Sequence, residues 1–71
     1  MRMTTYTIHM VASDVPLRLE HPAATLEELG LIMAQKRCLT ATLVQEGSEL
    51  LNPPLAVLVP SARIRLIALE P

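Results

Sequence analysis

The stretch Thr25-Leu26-Glu27-Glu28 begins the segment whose structure the sequence pattern predicts most clearly, a helix over about residues 26–37. A threonine at the N-cap followed three residues later by a glutamate is a capping box, in which each side chain accepts a hydrogen bond from a backbone N–H at the helix start. The cations at residues 36–37 stand at the negative end of the helix dipole. This segment is the only one with a helical pattern, so the remaining elements are expected to be strands.

Alternation of apolar and polar residues predicts strands on both sides of this helix. The five alternating or apolar stretches lie at residues 4–11, 15–20, 39–45, 55–59 and 63–69. Ser13 and Asp14 favour a turn between the first two, which predicts an antiparallel hairpin ahead of the helix. In the last stretch we expect the core-facing residues to be Ile64, Leu66 and Ala68.

The element order β-β-α-β-β-β predicts a small α+β domain of two layers, with the helix packed on a mostly antiparallel or mixed sheet. A chain of 71 residues is long enough for one domain only, which covers residues 1–71. A small, partly open β-barrel with one helix fits the same order and stays as an alternative. The order of a hairpin, a helix and further strands is similar to that of β-grasp domains, a similarity of topology that implies nothing about function.

The composition argues against several classes of protein. The chain is 51% hydrophobic and only 18% charged, whereas disordered segments are polar and highly charged. Six Lys and Arg against seven Asp and Glu, with one tyrosine as the only aromatic residue, do not favour nucleic-acid binding. No apolar run is long enough to cross a bilayer, and the polar N-terminal residues do not resemble a signal peptide. We therefore expect a cytoplasmic protein with no membrane partner.

The sequence contains no arrangement of residues typical of a catalytic, metal or other cofactor site. His9 and His21 lack the close spacing of metal ligands, and the single Cys38 argues against a disulfide or a cysteine-rich zinc site. Glu27 and Glu28 are explained by their place at the start of the helix. We therefore expect a non-catalytic protein without a metal or a cofactor.

The excess of apolar side chains is the observation that indicates a function. A domain this small has little interior, and exposed apolar patches usually mark interfaces. We expect a protein-interaction domain that forms a homodimer, or binds another protein, through the outer face of the sheet. Ile67 and Leu69 are the predicted apolar anchors of this interface. Its full set of predicted residues is Val11, Val44, Leu58, Arg63, Arg65, Ile67 and Leu69.

The alternative hypothesis is a small module that binds an anion, a nucleotide or a nucleic acid. Arg18, Arg63 and Arg65 would form its site if the second and last strands lie close together in the sheet. Cross-strand ion pairs with Glu20 or Glu70 would instead occupy these guanidinium groups, each contributing a few tenths of a kcal/mol.

Overall fold

The computed structural model describes residues 2–70, which form one α-helix and a sheet of five strands. The strands are β1 (Thr4–Met10), β2 (Leu17–His21), β3 (Cys38–Glu46), β4 (Glu49–Pro60) and β5 (Ile64–Leu69), and the helix α1 (Leu26–Lys36) lies between β2 and β3 in sequence. A short 3-10 turn, Ser61–Arg63, connects β4 to β5. The predicted α+β class and the predicted element order are confirmed.

The sheet is antiparallel throughout, with the strand order β4-β3-β2-β1-β5. Two hairpins, β1–β2 and β3–β4, lie side by side because α1 carries the chain from one to the other. After β4, the three-residue turn Ser61–Arg63 leads directly into β5, which pairs with β1. Within residues 2–70 the outer edges of β4 and β5 pair with no other strand. The sheet is therefore open, and the barrel alternative is wrong.

The helix begins as the capping box predicts. Thr25 is extended at the N-cap, and its hydroxyl oxygen accepts a hydrogen bond from the backbone N–H of Glu28 at 3.1 Å. The carboxylate of Glu28 accepts one from the N–H of Ala24 at 3.2 Å, one residue before the N-cap. The helix ends at Lys36, slightly earlier than predicted, because Arg37 adopts a left-handed conformation with φ 57° and closes the last turn with its N–H.

The core lies between α1 and the face of the sheet that α1 covers, which we call the helix side; the opposite face is the outer face. The largest fully buried side chains are Tyr6, Ile8, Leu19, Leu29 and Leu39. Tyr6 on β1 stands opposite Leu19 on β2, as the alternation within each strand predicts. Leu29 is the residue of α1 that is buried against them. The two strands of the first hairpin therefore form the centre of the core.

The two faces of β5 are exchanged relative to the sequence-based prediction. Ile67 stands opposite the buried Ile8 and packs against the core, so it lies on the helix side. By alternation, Leu66 and Ala68 lie on the outer face, where both are exposed. Ile64 also packs against the core, because the register shifts near the end of β1 and interrupts the alternation. Strict alternation from Ile64 therefore predicts the wrong face for Leu66 and Ala68.

Candidate interaction surface

Side chains that could perform chemistry are dispersed over the fold. Within residues 2–70, no three His, Cys, Asp or Glu side chains are grouped so that they could hold a metal ion. Over the same range, no helix is both long enough and apolar enough to span a bilayer. Cys38 is half-buried at the start of β3. The histidine and arginine side chains are described in turn below.

His21 has a structural role at the end of β2. Its side chain is only 8% exposed, and Nδ1 accepts a hydrogen bond from the backbone N–H of Ala23 at 2.9 Å. The Tyr6 hydroxyl donates to the carbonyl oxygens of Ala23, at 2.7 Å, and Thr25, at 3.2 Å. These contacts hold the connection between β2 and α1 against β1. Burial lowers the pKa of His21 below its ordinary value, which favours the neutral ring that this acceptor requires.

The pKa of His21 predicts how the stability of the fold depends on pH. The unfolded chain binds a proton at His21 with an ordinary pKa of about 6.5, whereas the folded protein binds it only at lower pH. The unfolded state therefore holds more protons as the pH falls through this range, and the free energy of unfolding should decrease. Urea unfolding at a series of pH values between about 7.5 and 5.5 measures the decrease.

Two variants test whether His21 causes this decrease. His21→Asn keeps a side-chain acceptor for the N–H of Ala23 and removes the titrating ring, so the decrease in stability should become smaller. His9→Asn changes a half-buried histidine on the outer face of β1 and should leave the decrease unchanged. An unaltered pH dependence in His21→Asn would contradict the prediction.

Arg18 lies on the outer face and is already paired. One of its terminal nitrogens donates to the amide oxygen of Gln45 at 3.1 Å, and its Nε lies 3.5 Å from a carboxylate oxygen of Glu70. Glu70 also accepts a hydrogen bond from the Thr7 hydroxyl. This bond, and secondly the charge of Arg18, lower the pKa of Glu70. The four side chains line a small open depression, in which the guanidinium group already has a carboxylate partner.

The three arginines of the anion-binding hypothesis do not share one site. Arg18 stands opposite Thr7 in the middle of β1, whereas the backbone carbonyl of Arg63 accepts a hydrogen bond from the N–H of Val11, beyond the end of that strand. Arg65 follows near the same end, on β5, with β1 between it and β2. Because Arg18 lies on β2, while Arg63 and Arg65 lie beyond β1 near its far end, the structure does not support a common anion site.

The predicted interface residues also lie in several places. Leu58 is 61% exposed on β4, and Val11 is exposed in the turn after β1. Val44 is half-buried beside a register shift in β3. Ile67 and Leu69 lie on the helix side of β5. Arg63 and Arg65 lie on the same stretch of chain, and Val11 is bonded to Arg63 through its N–H, so these five residues are neighbours. The middle of the outer face, formed by β1, β2 and β3, is polar. Its residues there are Thr5, Thr7, Arg18, Glu20, Thr40 and Thr42.

The two edge strands of the sheet differ in their capacity to pair with another strand. β4 contains Pro53 and Pro54 and ends at Pro60, and proline has no N–H to donate. The N–H of Ser61 donates to the carbonyl oxygen of Arg37 on the β3 side, so the nitrogen of the preceding Pro60 faces away from β3. Pro53 and Pro54 lie where the register between β3 and β4 shifts, so prolines lie at both ends of the regular part of this edge.

β5 has unpaired donors and acceptors along the outer edge of its second half, beyond the register shift at Ile64 and Arg65. The N–H of Glu70 donates to the carbonyl oxygen of Thr5 at 3.0 Å, and the register continues from there along the strand. Alternate residues of an antiparallel strand bond to alternate sides. The backbone N–H and C=O groups of Ile67 and Leu69 therefore face away from β1. We call this row, with the side chains on either side of it, the β5 edge (residues 64–69).

The sequence pattern predicts faces of the sheet but not its edges, so it does not identify the β5 edge. Natural proteins protect an edge strand with prolines, charged side chains and bulges. Residues 64–69 contain no proline, no lysine and no acidic residue. Their only such protection is Arg65 and the register shift beside it, both towards the Ile64 end, so Ile67 and Leu69 are left unprotected.

Comparisons with protein-family models, with curated proteins and with solved structures find no match for the chain. The similarity to β-grasp domains therefore rests on the order of the elements alone.

Proposed function

We propose that this chain is a non-catalytic protein-interaction domain that forms a homodimer through the β5 edge. The observation that carries the proposal is the combination of unpaired backbone groups and apolar side chains on one short strand. Ile67 and Leu69 provide the backbone groups and lie on the helix side, and Leu66 lies on the outer face. A strand with such an edge can add to another strand, gaining hydrogen bonds and covering apolar surface together.

The β5 edge is favoured over the remaining exposed surface because the other candidates lack one of these two properties. The edge of β4 exposes Leu50, Leu55 and Leu58, but its regular part is bounded by Pro53 and Pro54 at one end and by Pro60 at the other. The outer face is polar in its middle, so it offers no continuous apolar area. The proposed interface therefore contains four of the seven residues that the sequence predicted, and it lies at the edge of the sheet rather than on its outer face. These four are Arg63, Arg65, Ile67 and Leu69.

A second copy of the chain is the partner that this edge fits most directly. Antiparallel pairing of a strand with its own copy places each residue in equivalent surroundings on both sides, which is the arrangement in a twofold dimer. The small size of the domain also favours a dimer, because a chain of 71 residues buries only a modest fraction of its surface by itself. Covering Leu69, which is 43% exposed, and Leu66, at 50%, would increase the buried apolar area.

Sedimentation velocity over a range of micromolar to millimolar concentrations tests the proposal. The wild-type chain should shift from monomer to dimer as its concentration increases. Leu69→Lys should weaken this association at least tenfold, because it places a charge beside the pairing groups of each copy. Leu69 is chosen over Ile67 because Ile67 packs against the core, where a charge would disturb the monomer.

Leu58→Lys is the matched control for this experiment. It introduces the same charge at a residue that is 61% exposed, on the opposite edge strand, and should leave association unchanged. A wild-type chain that remains monomeric at all concentrations would contradict the proposal. Equal weakening by both substitutions would also contradict it, since net charge rather than the β5 edge would then control association.

A further inference from the structure

We infer that the two copies pair β5 with β5 about a twofold axis at Ala68, so that two five-stranded sheets become one continuous sheet. This inference rests on the proposed function and adds the register of the interface, which decides which side chains meet.

The direction of the backbone groups limits the possible registers. Ile67 and Leu69 turn their N–H and C=O groups outward, whereas Leu66 and Ala68 turn theirs to β1. In an antiparallel pair, outward-facing residues of one strand must stand opposite outward-facing residues of the other. A twofold axis between the strands must therefore pass through a residue. The candidates near the middle of the edge are Leu66, Ile67 and Ala68.

Repulsion between the two copies of Arg65 argues against one of these three registers. With the axis at Leu66, each Arg65 is one residue from the axis, and the two arginines are about 7 Å apart along the strands. The separation increases to about 14 Å with the axis at Ile67, where Arg65 stands opposite Leu69 of the second copy, and to about 20 Å with the axis at Ala68. At both of these longer distances the repulsion is largely screened.

The side chains favour the register with the axis at Ala68. An axis at Ala68 places Ile67 opposite Leu69 of the second copy, and this apolar pair occurs twice. Ala68 then meets its own copy in a pair without direct hydrogen bonds, where the two strands approach most closely, and alanine leaves room for that approach. On the outer face Leu66 stands opposite Glu70 of the second copy, whose carboxylate is already held by Thr7 and Arg18.

Disulfide cross-linking tests the register directly. In a Cys38→Ser background, which removes the native thiol, Ala68→Cys places two thiols across the axis. The Cβ atoms of such a pair are about 4.5–5.5 Å apart, close to the separation that a disulfide spans. Under mild oxidation this variant should form a covalent dimer more than tenfold faster than Leu66→Cys in the same background. Leu66→Cys is the matched control because it lies on the same strand and the same face.

The possible failures are distinguishable. Faster cross-linking of Leu66→Cys would overturn the register. A dimer in sedimentation with no cross-linking in either variant would overturn pairing through the β5 edge at Ala68 and leave self-association standing. A monomer in sedimentation at all concentrations would overturn the proposed function together with this inference.

Discussion

Leu19→Ala is expected to lower the free energy of unfolding by about 3 kcal/mol, within the range of about 2–5 kcal/mol for leucine truncations in cores. Leu19 is 0% exposed on β2, where it stands opposite Tyr6 on β1 and Leu43 on β3. Truncation leaves a cavity that neighbours on both sides, themselves buried, fill only in part. At about 0.05–0.15 kcal/mol per residue, a domain of this size has a total stability of roughly 4–10 kcal/mol. The variant should therefore lose between about a third and three quarters of its stability.

Urea unfolding followed by far-ultraviolet circular dichroism measures this loss. Leu31→Ala is the matched control, because Leu31 is 65% exposed on α1 and alanine is at least as favourable as leucine within a helix. The control should change the free energy of unfolding by less than about 0.5 kcal/mol. Similar losses in the two variants would contradict the described core.

Tyr6→Phe is expected to lower the free energy of unfolding by about 1–3 kcal/mol. The substitution keeps the buried ring and removes only the hydroxyl, which donates to the carbonyl oxygens of Ala23 and Thr25. Without this donor the Ala23 carbonyl loses a buried partner, and a buried group left without a hydrogen bond costs more than an exposed one. The connection between β2 and α1 should loosen, because both carbonyls belong to it.

Ser61→Ala is the control for loss of a hydroxyl group. The Ser61 hydroxyl donates to the carbonyl oxygen of Arg37 at 3.0 Å in an exposed position, where water can replace it, so the change should remain below about 0.5 kcal/mol. Because Tyr6 is the only tyrosine and the chain has no tryptophan, unfolding is again followed by circular dichroism. A loss in Tyr6→Phe no larger than that in Ser61→Ala would show that the buried bond contributes little.

Elements defined by neighbouring residues were predicted well from the sequence. The capping box around Thr25 acts over three residues, and it placed the start of α1 correctly. The alternation in β1 and β2 agrees with their burial, since Tyr6, Ile8 and Leu19 all face the core. Proline is confined to edge strands because it cannot donate to a ladder, and β4 is an edge strand that continues through Pro53 and Pro54 beyond the predicted residues 55–59.

Features that depend on distant residues were predicted poorly. The faces of β5 depend on its register with β1, and the shift opposite Ile64 leaves no mark in the local alternation. The dispersal of the predicted interface has the same origin, since Leu58 and Ile67 look equivalent in sequence but lie on opposite edge strands. Pairing of Arg18 with Glu70 had been one of two options, and the position of β5 beside β1 brings these residues together.

The unequal protection of the two edges has a consequence for assembly. A sheet with two free edges can add a copy on each side and grow without limit into a fibre. In this chain prolines flank the regular part of the β4 edge. In the proposed pair, joined through β5, both free ends would be β4 strands with these prolines, which would hinder the addition of further copies. Residues outside the proposed interface would then limit growth to two copies.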